Sequence, residues 1–282
     1  MKLLKYALFA WASLLFINCS DDDSKQENNS PENETSDLIL VKTFSNEHHT
    51  LALYTQNGQL TEGYNSIFIQ LKDQQNQFLN PSNLSWMPMM QMENMHHSAP
   101  HSPIKKVEGK QTLYEGYIVF QMAGNSMEYW NLQLNYTIDG LDYEMNENID
   151  VKPTSKRNVV VFSGTDNVKY IIALKEPTQP KVAVNDMVAG VFKMESMMNF
   201  PVVNNYKIKI DPRMPGMGNH GSPNNVDLQQ AQDSFYHGKL SLTMSGFWKI
   251  NLILENQNGE VLKGEEVNES NESSSIFFEI EF

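Results

Sequence analysis

The chain has 282 residues with 21 Lys and Arg against 34 Asp and Glu, a formal net charge of −13 at pH 7. No basic face is visible that could neutralise phosphates, which argues against nucleic acid as a partner. Cys19 is the only cysteine, so no intramolecular disulfide can form and the fold must stand on its apolar core.

Lys2 and Lys5 flank the start of an almost wholly apolar run from Tyr6 to Ile17, and Cys19 follows at once. Such a run is too short to span a bilayer stably and reads as a secretory signal over residues 1–18. The order of apolar segment, Cys19 and "SDDDSKQENNSPENETS" resembles a bacterial lipoprotein signal, with Ser20 and three aspartates similar to the export region of lipoproteins from the Bacteroidota. That resemblance implies a lipid on Cys19 and anchoring in the cell envelope, at the outer membrane. Residues 19–36 are expected to form a disordered acidic tether, since Ser20 to Ser36 offers no apolar side chain except Pro31 and sets six carboxylates against Lys25.

The rest of the chain is internally repetitive. "MENMHHSAPHSPIKKVEGKQTLYEGYIVFQMAG" from Met92 aligns without gaps on "MPGMGNHGSPNNVDLQQAQDSFYHGKLSLTMSG" from Met214, matching Met92, Met95, Tyr114, Gly116, Met122 and Gly124 to residues 122 positions later. "WNLQL" at Trp130 answers "WKINL" at Trp248, and "TLALYT" at Thr50 answers "IIALKE" at Ile171. Six identities in one register point to a tandem duplication, with copies over 37–153 and 156–282. "NSIFIQLK", "GYIVFQMAG", "NLQLNYTI" and "SIFFEIEF" alternate apolar and polar residues, the mark of half-buried strands. "QNGQ" at Gln56 and "QNGE" at Gln257 supply hairpin turns in which Asn-Gly tolerates positive φ at both central positions. "VDLQQAQ" at Val226 is the one place where a helical turn could form. These signals predict an all-β chain of two immunoglobulin-like antiparallel sandwiches.

"WMPMMQMENMHHSAPH", from Trp86 to His101, holds five methionines and three histidines in sixteen residues. With Pro88 and Pro100 it reads as a loop, and "DPRMPGMGNHGSPNN" occupies the matching place in the second copy. Methionine fills irregular core gaps well. From Met87 to His101, however, there is no Leu, Ile, Val or Phe, so thioether is the only large aliphatic chemistry there. Thioether sulfur paired with imidazole suits Cu(I), whereas zinc favours Cys, His and carboxylate and calcium needs clustered oxygens.

The Met-x-x-Met loop with its histidine, the Tyr-x-Gly strand start, the methionine six residues after that glycine and the Trp-led strand resemble YtkA-like domains, relatives of FixH-type proteins. The resemblance implies a small extracytoplasmic β-sandwich that handles copper or supplies it to haem-copper oxidases, with a copper donor or acceptor such as an oxidase assembly factor as partner. Carried over, the metal ligands are Met92, Met95 and His96 or His97 in the first copy, and Met214, Met217 and His220 in the second. Met89, Met90 and His101 are additional candidates. Met122, Met244, Trp130 and Trp248 read as core, and His48 and His49 as neighbours on a strand facing opposite ways.

No arrangement for catalysis is visible: there is no cysteine nucleophile, Gly-x-Ser-x-Gly elbow, phosphate-cradling glycine loop or His-Glu-x-x-His pair. The alternative to a copper protein is a noncatalytic surface interaction module whose methionines simply pack.

Overall fold

The computed structural model describes residues 34–282. Cys19, the apolar signal and most of the tether lie outside the described residues. The first half contains β1 (Ile39–Ser45), β2 (His49–Thr55), β3 (Leu60–Thr61), β4 (Gly63–Asp73), β5 (Phe78–Leu79), β6 (Ser82–Gln91), β7 (His96–Ser98), β8 (Lys105–Lys106), β9 (Tyr114–Phe120), β10 (Tyr129–Ile138), β11 (Leu141–Ile149) and β12 (Val151–Lys152). In the second half are β13 (Val159–Ser163), β14 (Lys169–Glu176), β15 (Ala183–Lys193), β16 (Lys207–Met214), β17 (His220–Gly221), β18 (Val226–Gln230), β19 (Tyr236–Leu242), β20 (Phe247–Glu255), β21 (Val261–Lys263) and β22 (Phe277–Glu281). The chain is all-β, with no α-helix among the described residues.

Two antiparallel sheets enclose each core. In the first half the order β1-β2-β4-β9-β8, with β5 beside β4, faces β11-β10-β6-β7. The second half repeats it as β13-β14-β15-β19-β18 and β20-β16-β17, with β21 and β22 on β20. There β18 pairs with both β19 and β16, so the two layers join into one ten-stranded sheet. Alternation drives the layering: every other residue of "HTLALYT" in β2 is buried. Trp130 and Trp248 are fully buried at equivalent places. At about 25 cal/mol per Å² over roughly 150–250 Å², each contributes up to roughly 4–6 kcal/mol. Each indole N–H also donates to a methionine carbonyl, Trp130 to Met122 at 2.8 Å and Trp248 to Met244 at 3.0 Å.

One core is built from residues 44–151 and another from 160–280. A smaller apolar contact joins the halves, where Val119 meets Ile171, Ala173 and Phe192.

Several expectations change. Glu34 falls within the stretch expected to be disordered, yet it is only 7% exposed, and its carboxylate accepts hydrogen bonds from the backbone N–H groups of Gln111 and Thr112 and from the Thr112 hydroxyl. "VDLQQ" is strand β18, not a helical turn, because Leu228 turns into the core while its neighbours stay at the surface. His49 begins β2 and is buried, whereas His48 precedes the strand, and both rings approach Tyr143, at 4.5 and 5.5 Å. In both Asn-Gly turns only the glycine is at positive φ, Gly58 at 75° and Gly259 at 81°.

The largest change concerns the Met-rich stretch, which is a hairpin of β6 and β7 rather than a loop. Pro88 is tolerated in β6 because β7 covers only Met89–Gln91 and leaves that side of Pro88 without a partner strand. Pro212 sits likewise in β16, beyond the reach of β17. The strand register also shifts the internal alignment here. Trp130 lies opposite Met90, and Arg213 lies opposite Lys249, so Met214 follows beside Trp248. The counterpart of Met214 is therefore Met90, not Met92.

Candidate functional site

Strand alternation sorts the candidate ligands by face. On β6, Trp86, Pro88 and Met90 turn into the core, while Met87, Met89 and Gln91 point outward and are half-buried. Across the hairpin Met90 faces His97, Gln91 faces His96 and Met89 faces Ser98. His97 thus shares the inner side with Met90, and His96 shares the outer side with Met89. At the tip the Met92 N–H donates to the Met95 carbonyl at 3.0 Å. Met92 rests partly buried on the core, and Met95 is 49% exposed. The structure brings Met90, Met92, Met95 and His97 to one end of the first sandwich and separates Met89 and His96 from them.

The His97 ring is held in two ways. It meets Trp130 edge to face, with centroids 5.7 Å apart, and its Nδ1 lies 2.7 Å from the Ser98 carbonyl oxygen. A carbonyl only accepts, so Nδ1 carries the proton and the neutral ring keeps its Nε2 lone pair free. Metal-binding histidines are oriented by this kind of backbone contact. His101 makes the same bond to the Ala99 carbonyl at 2.7 Å but is bridged to Ile118 of β9, outside the hairpin.

The second hairpin is tighter. Met214 faces His220, and between them run a 3-10 turn, Pro215–Met217, then Gly218 and Asn219 in the left-handed region at φ 66° and 59°. Met214 is buried, with its methyl 3.2 Å from where a side chain on Gly246 would begin, whereas Met217 is 59% exposed. Met90 and Met214 are therefore core residues first. The donors open to solvent are Met95 and the half-exposed Met92 and His97 in one hairpin, and Met217 and His220 in the other.

Among the described residues no three of His, Cys, Asp and Glu gather as a metal centre. Soft donors are what the two hairpin ends supply: two open thioethers and an imidazole in the first, one open thioether and an imidazole beside the buried Met214 in the second, donor types that fit Cu(I). The sequence reading passed over Met87 and over the "ESMMN" turn at 195–199. Ser98 Oγ donates to Met87 Sδ at 3.3 Å, and Ser98 N donates to the Met197 carbonyl at 2.7 Å. Two adjacent methionines in a polar turn were the available signal. No family model matches the chain, and no curated protein matches it in sequence.

Proposed function

We propose that the chain is a lipid-anchored protein of the cell envelope that binds copper as Cu(I) through one Met/His hairpin in each half, for copper handling or delivery to a partner protein. The observation that carries this reading is the recurrence of one rung: a methionine faces a histidine at the base of both hairpins, with an exposed methionine at both tips. Thioether and imidazole match a soft monovalent cation. The anchor is Cys19.

Titrating the full chain with Cu(I) against a chelating indicator tests the reading. Replacing Met92 and Met95 with leucine conserves volume, so stability changes by under about 1.5 kcal/mol while the first hairpin loses its copper. Met214→Leu with Met217→Leu does the same for the second. Unchanged binding in both folded double variants sinks the hairpin reading.

A second reading, a noncatalytic interaction module, is favoured by one observation. A cleft of about 820 Å³ opens between the halves, bordered by Tyr64, Tyr117, Lys175 and Phe235, with Lys175 Nζ 4.4 Å above the Phe235 ring. A partner held there would be lost with Tyr117→Ala and retained in the methionine variants.

A further inference from the structure

The outward methionines of β6 need an explanation that the core does not provide. Met87 lies opposite Gln133 and Met89 opposite Asn131, so two thioethers stand among amides on the outer face of the sheet. In the second sandwich the same two rungs, opposite Asn251 and Lys249, carry Asp211 and Arg213, paired at 2.7 Å. The fold accepts charge at these positions, so packing alone does not call for methionine.

What differs is the neighbour. The connection between β15 and β16 folds back through Lys193 N to the Pro201 carbonyl at 3.1 Å, and the bridge between Ser196 and Asn199 closes a tight turn. That turn delivers Met197 to Ser98 of the other half. Ser98 is completely buried and meets all three methionines: it faces Met89, its hydroxyl donates to Met87 Sδ, and its N–H donates to the Met197 carbonyl. Beside it Gln121 donates from Nε2 to the Ser98 carbonyl at 3.4 Å, while its buried Oε1 has no hydrogen-bond partner. An orphaned buried acceptor is rare and marks a place where a water or an ion completes the structure.

We propose that Met87, Met89 and Met197 form a third soft-cation site, for Cu(I), at the junction of the two halves. The donors are neutral thioethers with no carboxylate among them, which selects a soft monovalent ion over zinc or calcium. Each sulfur has a second lone pair, so Met87 binds a metal while keeping its bond from Ser98. Because Met197 comes from the other half, filling the site fixes how the halves sit together. Although Met87 and Met89 belong to β6 of the first hairpin, they face away from Met92, Met95 and His97 and are left intact in the hairpin variants, so the two readings stand or fall separately.

The test uses the full chain labelled with ¹³C at the methionine methyls, titrated with Ag(I) as a redox-inert analogue of Cu(I). The Met87, Met89 and Met197 methyls should shift together. Met87→Leu with Met89→Leu should remove one Cu(I) equivalent, Met197→Leu should weaken that same equivalent by at least about tenfold, and Met127→Leu, at an 81% exposed position, should leave every equivalent in place. Loss of an equivalent in Met87→Leu/Met89→Leu when the hairpin variants bind normally would leave this site standing and the hairpin reading refuted. Full Cu(I) stoichiometry in the folded Met87→Leu/Met89→Leu protein overturns the proposal, as does a Met197 methyl that stays still while the other two move.

Discussion

Met90 and His97 face each other across one rung of the first hairpin, and Nδ1 of that histidine is committed to the Ser98 carbonyl 2.7 Å away. His96, one residue earlier, points to the opposite face. Replacing His97 with glutamine should therefore weaken Cu(I) at the first hairpin by at least about tenfold, or about 1.4 kcal/mol. His96→Gln should leave that hairpin unchanged. Competition titrations of the two single variants check the distinction.

Gly116 admits no side chain. A Cβ there would come 2.6 Å from Cζ2 of Trp86 and 2.9 Å from Ser102 Oγ. Gly116→Ala should cost about 1–3 kcal/mol by overpacking. Gly238 is the stricter case, because its Cβ would strike the backbone carbonyl of Val226, which cannot rotate away. Urea denaturation should rank Gly238→Ala as the more damaging.

Glu34, the first of the described residues, is tied to the approach to β9. Burial alone would raise its carboxyl pKa, but the hydrogen bonds from Gln111 and Thr112, with Lys110 nearby, hold it below its ordinary value of 4.5. A lowered carboxyl stabilises the fold fully above the ordinary value, and that stability is lost as pH falls from about 4.5 through the folded value. Glu34→Gln should cost about 1–3 kcal/mol at neutral pH and flatten this acid limb of the stability curve.

His49 shifts in the same direction for another reason. Burial and the charge of His48 lower its pKa from 6.5, with its Nδ1 3.0 Å from the Tyr136 hydroxyl. Its neutral form fits the fold, so stability is complete above about pH 6.5 and declines as pH falls through the lower folded value. Melting temperatures of wild type and His49→Gln should converge in slope between pH 7 and 5 if another group causes the decline, and should diverge if His49 does.

The strands with one wet and one dry face were legible in the sequence. In "NSIFIQLK" and "NLQLNYTI" water imposes the alternation that the pattern reports. The β6–β7 hairpin was not legible, because proline, methionine and histidine obscure that alternation. Pro88 is admitted only because β7 is too short to reach it, a fact of pairing that no local pattern carries. The Met–His rung was half legible: the residue types were visible, but the identity match set Met92 on Met214 where the strands set Met90. The paired methionines at Met197 and Met198 were visible, but their meeting with Ser98 was not, since that turn joins the hairpin only once the two halves lie against each other.

The short parallel pair of β3 and β12 joins Leu60 to Val151 and Thr61 to Lys152. Val151 is also part of the first core, at 1% exposure. The last rung of the first half is thus laid by the residues that immediately precede the connection at Pro153. A chain emerging from its N-terminus cannot close the first core until Val151 has appeared, and needs nothing beyond it to do so. The order of emergence is then also the order of assembly: the first hairpin is in place before the Met197 turn arrives to cover its outer face.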